Sequence, residues 1–116
     1  MPRYAALIYA SEAAGPPMDS PERQTMHQAY GVYTEEAAKA GVVKGGDALL
    51  PSSMATTVRV RDGKTVTTDG PFAETKEQLG GFYLFDCKDL DEAIHWAAKI
   101  PGASHGSIEV RPILEM

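Results

Sequence analysis

The chain has 116 residues, with 43% hydrophobic and 23% charged side chains, and this is typical of one globular domain spanning residues 1–116 rather than of a disordered chain. Its formal net charge is -5 and its lysines and arginines are scattered, which leaves no basic stripe for a phosphate backbone and excludes nucleic acid as the main partner. No apolar run approaches the ~20 residues of a membrane span, and the first residues open into a strand pattern rather than a signal peptide, so we expect a cytoplasmic protein without membrane contact.

The first third of the chain predicts a strand, a loop and a helix. Residues 3–9 form a short, nearly continuous apolar run, as in a strand covered on at least one face. Residues 10–20 contain a glycine and two prolines and predict a surface loop. Ser20 is a good N-cap for a helix that ends at Ala40–Gly41. The apolar stripe of this helix recurs at steps of four, three and four residues: Met26, Tyr30, Tyr33 and Ala37.

The middle of the chain predicts a strand and a hairpin. Residues 42–50 indicate a second strand, interrupted by Gly45–Gly46 at a bulge or a close approach of another backbone. Residues 55–61 and 64–68 flank Asp62–Gly63, the two-residue signal for a type I′ hairpin. We expect this hairpin to be a half-solvated ribbon.

The last third predicts a strand, a helix and a closing strand. Residues 81–87 are aromatic-rich and apolar on both faces, so we expect both faces to be covered. Asp89 has capping-box spacing to Glu92 and begins a second helix. Strict alternation in residues 108–113 predicts a strand with one buried face.

The element order β-α-β, hairpin, β-α-β predicts an α+β protein of the ferredoxin-like βαββαβ class with an extra β-hairpin. Two helices cover one face of such a sheet and leave the other bare. Because residues 81–87 would expose a large apolar area there, we predict a homodimer packed sheet to sheet, with a cavity between sheet and helices or at the interface.

Residues 69–77 read DGPFAETKE and resemble the signature of the DGPFAETKE branch of the YciI-like (YCII-related) family. The resemblance extends to the hairpin sequence, to Gly80–Tyr83 after the signature and to Glu109–Pro112 near the end. It implies a ferredoxin-like fold that forms a dimeric α+β barrel, and an activity that is unsettled. The wider group is proposed to hold a His/Asp pair in a cleft, and members of this branch are often encoded beside extracytoplasmic-function sigma factors.

Two side chains of this sequence are candidates for that acid–base pair. Asp69 is the carboxylate of the signature, and His27 is the one histidine of the first helix. Each also has a structural interpretation. Asp69-Gly70-Pro71 can be a turn and nothing more, and His27 can be an ordinary histidine of the helix surface.

The rest of the signature has several interpretations. Glu74 and Lys76 can bind a polar small molecule, pair with each other across a dimer interface, or form a solvated charge run. Thr75 and Gln78 have capping-box spacing, so a short helical turn can begin there. Phe72 is an apolar anchor, and Tyr30 and Tyr83 are candidates to line a pocket.

Other chemistries find no support in the sequence. The one cysteine, Cys87, excludes an internal disulfide, and the histidines have no metal-ligand spacing, so we predict neither a metal nor a cofactor. Three hypotheses stay open: a small-molecule enzyme with cofactor-free, isomerase- or lyase-like acid–base chemistry, a non-catalytic sensor or interaction module linked to sigma-factor regulation, and a signature that only builds the dimer.

Overall fold

The computed structural model describes residues 1–116 and has α+β architecture with two helices and six strands. In chain order the elements are β1 (Arg3–Ala10), α1 (Pro21–Lys39), β2 (Val43–Ala48), β3 (Thr56–Arg61), β4 (Lys64–Asp69), β5 (Gln78–Asp86), α2 (Leu90–Ala98) and β6 (Ser107–Pro112). Every predicted helix and strand is present, so the predicted order of elements is confirmed.

Four strands form one antiparallel sheet in the order β2-β5-β1-β6. Alternate residues of the two central strands, among them Ala6 on β1 and Phe85 on β5, are fully buried under the helices. The in-between residues Leu7 and Phe82 lie opposite each other on the other face and are half-buried. This arrangement is compatible with the predicted ferredoxin-like fold.

The hydrophobic core lies between this sheet and the two helices. It contains residues of β1, α1, β5 and α2: Tyr4, Ala6, Ile8, Tyr33, Ala37, Val42, Tyr83, Phe85, Cys87, Ala93, Ala97 and Ile100. Tyr33 packs against both the Tyr83 ring, at a centroid distance of 5.4 Å, and Trp96 of α2, at 6.4 Å. The aromatic contacts therefore join both helices to the centre of the sheet.

The predicted helix starts are confirmed by their hydrogen bonds. The Ser20 hydroxyl accepts from the backbone N–H of Arg23 at 3.2 Å. The Asp89 carboxylate accepts from the backbone N–H of Glu92 at 2.9 Å. Each cap satisfies a donor that the first helical turn leaves without a backbone partner. Neither helix is both long enough and apolar enough to cross a membrane.

Strands β3 and β4 form a separate two-stranded sheet. This hairpin projects from the four-stranded sheet and its two helices, which together we call the body. Asp62 and Gly63 have φ of 52° and 74°, the positive values that a type I′ turn requires, which confirms the predicted hairpin. The radius of gyration is 15.9 Å, compared with roughly 13 Å for a compact domain of this length. One face of the hairpin is open to solvent and carries Val58 and Val60, which are 60% and 61% exposed and pair with Thr67 and Thr65.

Two strand boundaries differ by more than one residue from the sequence prediction. Strand β5 begins at Gln78 rather than at residue 81, and no helical turn forms at Thr75, whose hydroxyl instead donates to the Glu77 carbonyl at 2.6 Å. Strand β2 ends at Ala48 rather than at residue 50. The predicted irregularity in β2 is present, because the register with β5 shifts between Val43 and Gly45.

Candidate functional site

The turn that carries Asp69 is held by backbone contacts to β3. Gly70 has φ of 100°, and its N–H donates to the Ala55 carbonyl at 2.7 Å. The Thr57 hydroxyl donates to the Gly70 carbonyl at 2.8 Å. The Asp69 side chain itself is exposed and accepts no hydrogen bond within its own chain. The fold therefore fixes the backbone at Asp69 and leaves its carboxylate free.

The next residues of the signature are also exposed. Phe72 is 77% exposed, so the predicted apolar anchor has no pocket in its own chain. Glu74 and Lys76 are exposed, and the four ion pairs of the chain join other residues. The two side chains do not pair with each other within one chain.

The end of the signature behaves differently, because long-range hydrogen bonds attach it to the body. The Glu77 carboxylate accepts from the Ser107 hydroxyl at 2.9 Å. The Gln78 amide oxygen accepts from the backbone N–H of Glu12 at 2.9 Å. The Glu12 carboxylate in turn accepts from the Ser52 N–H and hydroxyl, at 2.7 and 2.5 Å. The sequence analysis did not find this network, because its members are separated by tens of residues and none belongs to a local motif.

Tyr83 and Tyr30, the candidate pocket tyrosines, lie on the helix side of the sheet. The Tyr83 hydroxyl is 2.7 Å from the Thr34 hydroxyl of α1, and either can be the donor. The Tyr30 hydroxyl accepts from the backbone N–H of Gly102 at 3.1 Å. Burial raises the pKa of Tyr30, and the Gly102 hydrogen bond opposes that shift. Both tyrosines have polar partners, as expected for aromatic residues at the border of the core.

His27 lies on α1 and is exposed, without a hydrogen bond to another side chain. Asp69 lies at the end of the hairpin, in a different sheet from the one that α1 covers. The chain forms no hydrogen bond or ion pair between them. A single copy therefore does not assemble the His/Asp pair, and the pairing stays a prediction.

Two open depressions lie on other parts of the surface. One of about 520 Å³ at the start of α2 is lined by six residues: Lys88, Asp89, Asp91, Glu92, His95 and Trp96. Asp89 and Glu92 already bond the backbone there as helix caps. The other, of about 250 Å³ between α2 and β6, is apolar and includes Ile94 and Val110. No group of three or more His, Cys, Asp and Glu residues is placed to hold a metal ion.

Cys87 is fully buried beneath α2. Burial raises the pKa of its thiol to about 11, and the nearby carboxylates of Glu92 and Asp86 add to the shift. A thiol that is neutral at physiological pH and shielded from solvent is a poor nucleophile. Cys87 is therefore a core residue.

Comparison with known proteins places this architecture in a family. The sequence model of the YCII-related domain matches residues 2–116. The chain belongs to the YCII-related family. An uncharacterized protein of Rhizobium meliloti (strain 1021) is 40% identical to it over 112 residues, which are 95% of this chain and 90% of that protein.

The match covers both the body and the signature of this YCII-related protein. It confirms the family to which the sequence resemblance pointed. Neither the family description nor the relative's name states a reaction.

Proposed function

We propose that this YCII-related protein acts as a homodimer that binds a small molecule and performs cofactor-free acid–base chemistry of the isomerase or lyase type. One observation carries the proposal: the signature exposes Asp69 on a fixed turn and, three residues further along the chain, an aromatic ring, Phe72, that is 77% exposed. A carboxylate on a rigid turn is well positioned for proton transfer. A large exposed apolar side chain in the same segment is typical of a surface that contacts another molecule.

Asp69 or His27 is the acid–base group in this proposal, and Glu74 and Lys76 orient the substrate. Both Asp69 and His27 are solvent-accessible in a single copy. A second copy that covers the hairpin would exclude water from Asp69, and proton transfer is more effective in a site from which water is excluded. The predicted dimer, with the signature at its interface, thus completes the site.

The pocket walls in this proposal are aromatic. Phe72 would contribute from the signature, and Tyr83 and Tyr30 from the helix side of the sheet. The hydroxyls of both tyrosines are held by hydrogen bonds within the body, so their positions are defined before a ligand binds. We also propose that the protein belongs to the DGPFAETKE branch of its family, on the sequence of residues 69–77.

The experiment is a thermal-shift screen of a small-molecule library, since a ligand that binds only the folded protein raises its melting temperature. A hit is then incubated with the protein in D₂O, and NMR follows deuterium incorporation into the ligand. We expect incorporation by the wild type and its loss in Asp69→Asn or His27→Ala. Unchanged incorporation in both variants would contradict the catalytic assignment.

A second candidate function is a non-catalytic ligand-sensing or protein-interaction module linked to sigma-factor regulation. The observation that favours it is the absence of a hydrogen bond between His27 and Asp69 and the exposure of both side chains. In that case the screen yields ligands that raise the melting temperature, but the protein exchanges no deuterium into any of them. The exchange measurement therefore separates the two functions.

A further inference from the structure

The hairpin and its end contain two Asp–Gly pairs, Asp62–Gly63 at the turn and Asp69–Gly70 after β4. In such a pair the amide nitrogen of the glycine can attack the side-chain carboxyl carbon of the aspartate. Glycine permits this attack because it has no Cβ to hinder the approach and its backbone rotates freely. Since both pairs have the same residues, we compare how the fold restrains each of them.

Asp62–Gly63 is restrained at neither residue. Both residues are exposed and lie outside the hairpin ladder, whose last pair is Arg61 with Lys64. The Gly63 N–H donates to no backbone carbonyl. The Gly63 nitrogen can therefore turn toward the Asp62 side chain without breaking a backbone hydrogen bond.

Asp69–Gly70 is restrained on both sides of the peptide bond. Asp69 lies in β4 and pairs with Thr56 of β3. The Gly70 N–H donates to the Ala55 carbonyl at 2.7 Å, and the Gly70 carbonyl accepts from the Thr57 hydroxyl at 2.8 Å. We call these two hydrogen bonds the Gly70 clamp. The Gly70 nitrogen has to leave its acceptor before it can attack the Asp69 carboxyl group.

We propose that Asp62 is a site of spontaneous isomerisation to isoaspartate, and that the Gly70 clamp protects Asp69 from the same reaction. The reaction needs neither a ligand nor a partner, so it goes beyond the proposed function and does not depend on it. In the proposed site, the clamp has the further effect of preserving the acid–base carboxylate of Asp69.

The reaction is an intramolecular condensation followed by hydrolysis. The Gly63 nitrogen forms a bond to the side-chain carboxyl carbon of Asp62, and the amide proton and the carboxyl OH leave as water. The product is a cyclic succinimide, to which water then adds. Breaking the new C–N bond returns aspartate, whereas breaking the bond from nitrogen to the main-chain carbonyl carbon gives isoaspartate. No electrons are transferred, and the final mass equals the starting mass.

Isoaspartate at this position changes the hairpin, because its main chain runs through the former side chain and is one carbon longer. The turn at Asp62 and Gly63 has φ of 52° and 74°, the geometry of a two-residue type I′ connection. A longer connection does not keep this geometry. We therefore expect the product to lose the pairing of Arg61 with Lys64.

The test incubates the full chain for weeks in neutral buffer, folded and in concentrated urea. Cleavage after lysine places Asp62 in the peptide 45–64 and Asp69 in the peptide 65–76. Chromatography separates each isoaspartyl peptide from its parent of equal mass, and electron-transfer fragmentation locates the change. In the folded protein, isoaspartate should form about tenfold or more faster at Asp62, the effect of a hydrogen bond that has to break at Asp69. In urea, the two rates should be similar.

A first set of variants tests the clamp. Thr57→Val removes the hydroxyl and keeps the branched shape, so it should raise the rate at Asp69 about fivefold and leave Asp62 unchanged. Thr57→Ser keeps the hydroxyl and should restore the slow rate. The dispersion of the NMR spectrum shows whether each variant is folded.

A second pair of variants compares the two sites by intact mass. Asp62→Asn and Asp69→Asn can each form the same succinimide by losing ammonia, and hydrolysis then gives a heavier, acidic product. Asp62→Asn should react about tenfold or more faster than Asp69→Asn, for the same reason as in the wild type.

Several results would overturn the inference. A folded protein without isoaspartate at Asp62 would remove the modification site. Isomerisation at Asp69 that is equally fast or faster, or that does not respond to Thr57→Val, would contradict protection by the clamp. A difference that persists in urea would assign it to the flanking sequence. Protection of Asp69 that disappears when the protein is diluted would assign it to a contact between copies, and the proposed dimer would stand.

Discussion

Similar residues are buried and hydrogen-bonded in the body of the molecule but exposed and unpartnered in the signature that follows the projecting hairpin. Phe85 of the body is fully buried, whereas Phe72 of the signature is 77% exposed. The hydroxyls of Tyr30 and Tyr83 are hydrogen-bonded, whereas the Asp69 carboxylate has no partner. The body therefore buries its core within one chain, whereas the signature leaves Phe72 and Asp69 open to solvent.

The largest expected effect contrasts the two phenylalanines. Phe85→Ala should lower the free energy of unfolding by about 3–5 kcal/mol, because it leaves a cavity in the core. Phe72→Ala removes a side chain that is 77% exposed and therefore leaves no cavity in the core. In urea titrations at two protein concentrations, the Phe85→Ala loss should be the same at both, and any Phe72→Ala loss should shrink on dilution as dimers dissociate. If Phe72→Ala lowered the free energy of unfolding by more than about 2 kcal/mol at both concentrations, Phe72 would act as a core residue, because core substitutions cost at least that much.

The second expected effect concerns the exposed valines of the hairpin, Val58 and Val60. Val60→Asp should weaken the predicted dimer at least about 100-fold, because it places a charge in a desolvated contact. Light scattering should give twice 12.5 kDa for the wild type and 12.5 kDa for the variant. Val32→Asp is the matched control, because Val32 is a 68% exposed valine of the body. Equal dissociation of the Val60→Asp and Val32→Asp variants would contradict a dimer interface at the hairpin.

The third expected effect is a loss of folding stability at alkaline pH, caused by Cys87 in the core of the body. Burial raises the pKa of Cys87 to about 11, so between about pH 9 and 11 the unfolded chain loses the thiol proton and the folded chain keeps it. Stability is therefore full below about pH 9 and falls as pH rises, by about 2–3 kcal/mol in total. The difference in unfolding free energy between wild type and Cys87→Ala should shrink over this range. A constant difference would show that the thiol does not titrate in this way.

The smallest expected effect is a stabilising substitution in α1. Gly31→Ala should raise the free energy of unfolding by about 1 kcal/mol, since alanine is the better helix former and the added methyl meets open space. Thermal unfolding would measure the gain, with Ala29→Gly as the reverse control on the same helix. A destabilised Gly31→Ala variant would mean that the helix needs this glycine for its own packing.

The elements that sequence predicted well are those set by local chemistry. Asp62–Gly63 fixes the hairpin through positive φ, and Ser20 and Asp89 fix the helix starts through their caps. The start of β5 was missed because Gln78 pairs with Ala10 through a shifted register that only the folded sheet defines. Local pattern also suggested a helical turn at Thr75, and the sheet overrode it.

The candidate site was less predictable than the fold. Sequence identified the signature, but not that Glu77 is bound to Ser107 of a distant strand while Glu74 is free. It did not indicate the contact between the hydroxyls of Thr34 and Tyr83, which belong to different elements. Whether Asp69 meets His27 depends on how two copies fit together, and no pattern within one chain encodes that geometry.

We propose that the hairpin and the signature contact a second copy of the chain. Isotope-filtered NMR on a mixture of ¹³C-labelled and unlabelled protein detects contacts between copies directly. We predict intermolecular NOEs from the Val58 and Val60 methyls and the Phe72 ring, and none from the Val32 methyls. A monomer, or a dimer whose intermolecular NOEs omit the hairpin and Phe72, would contradict this proposal.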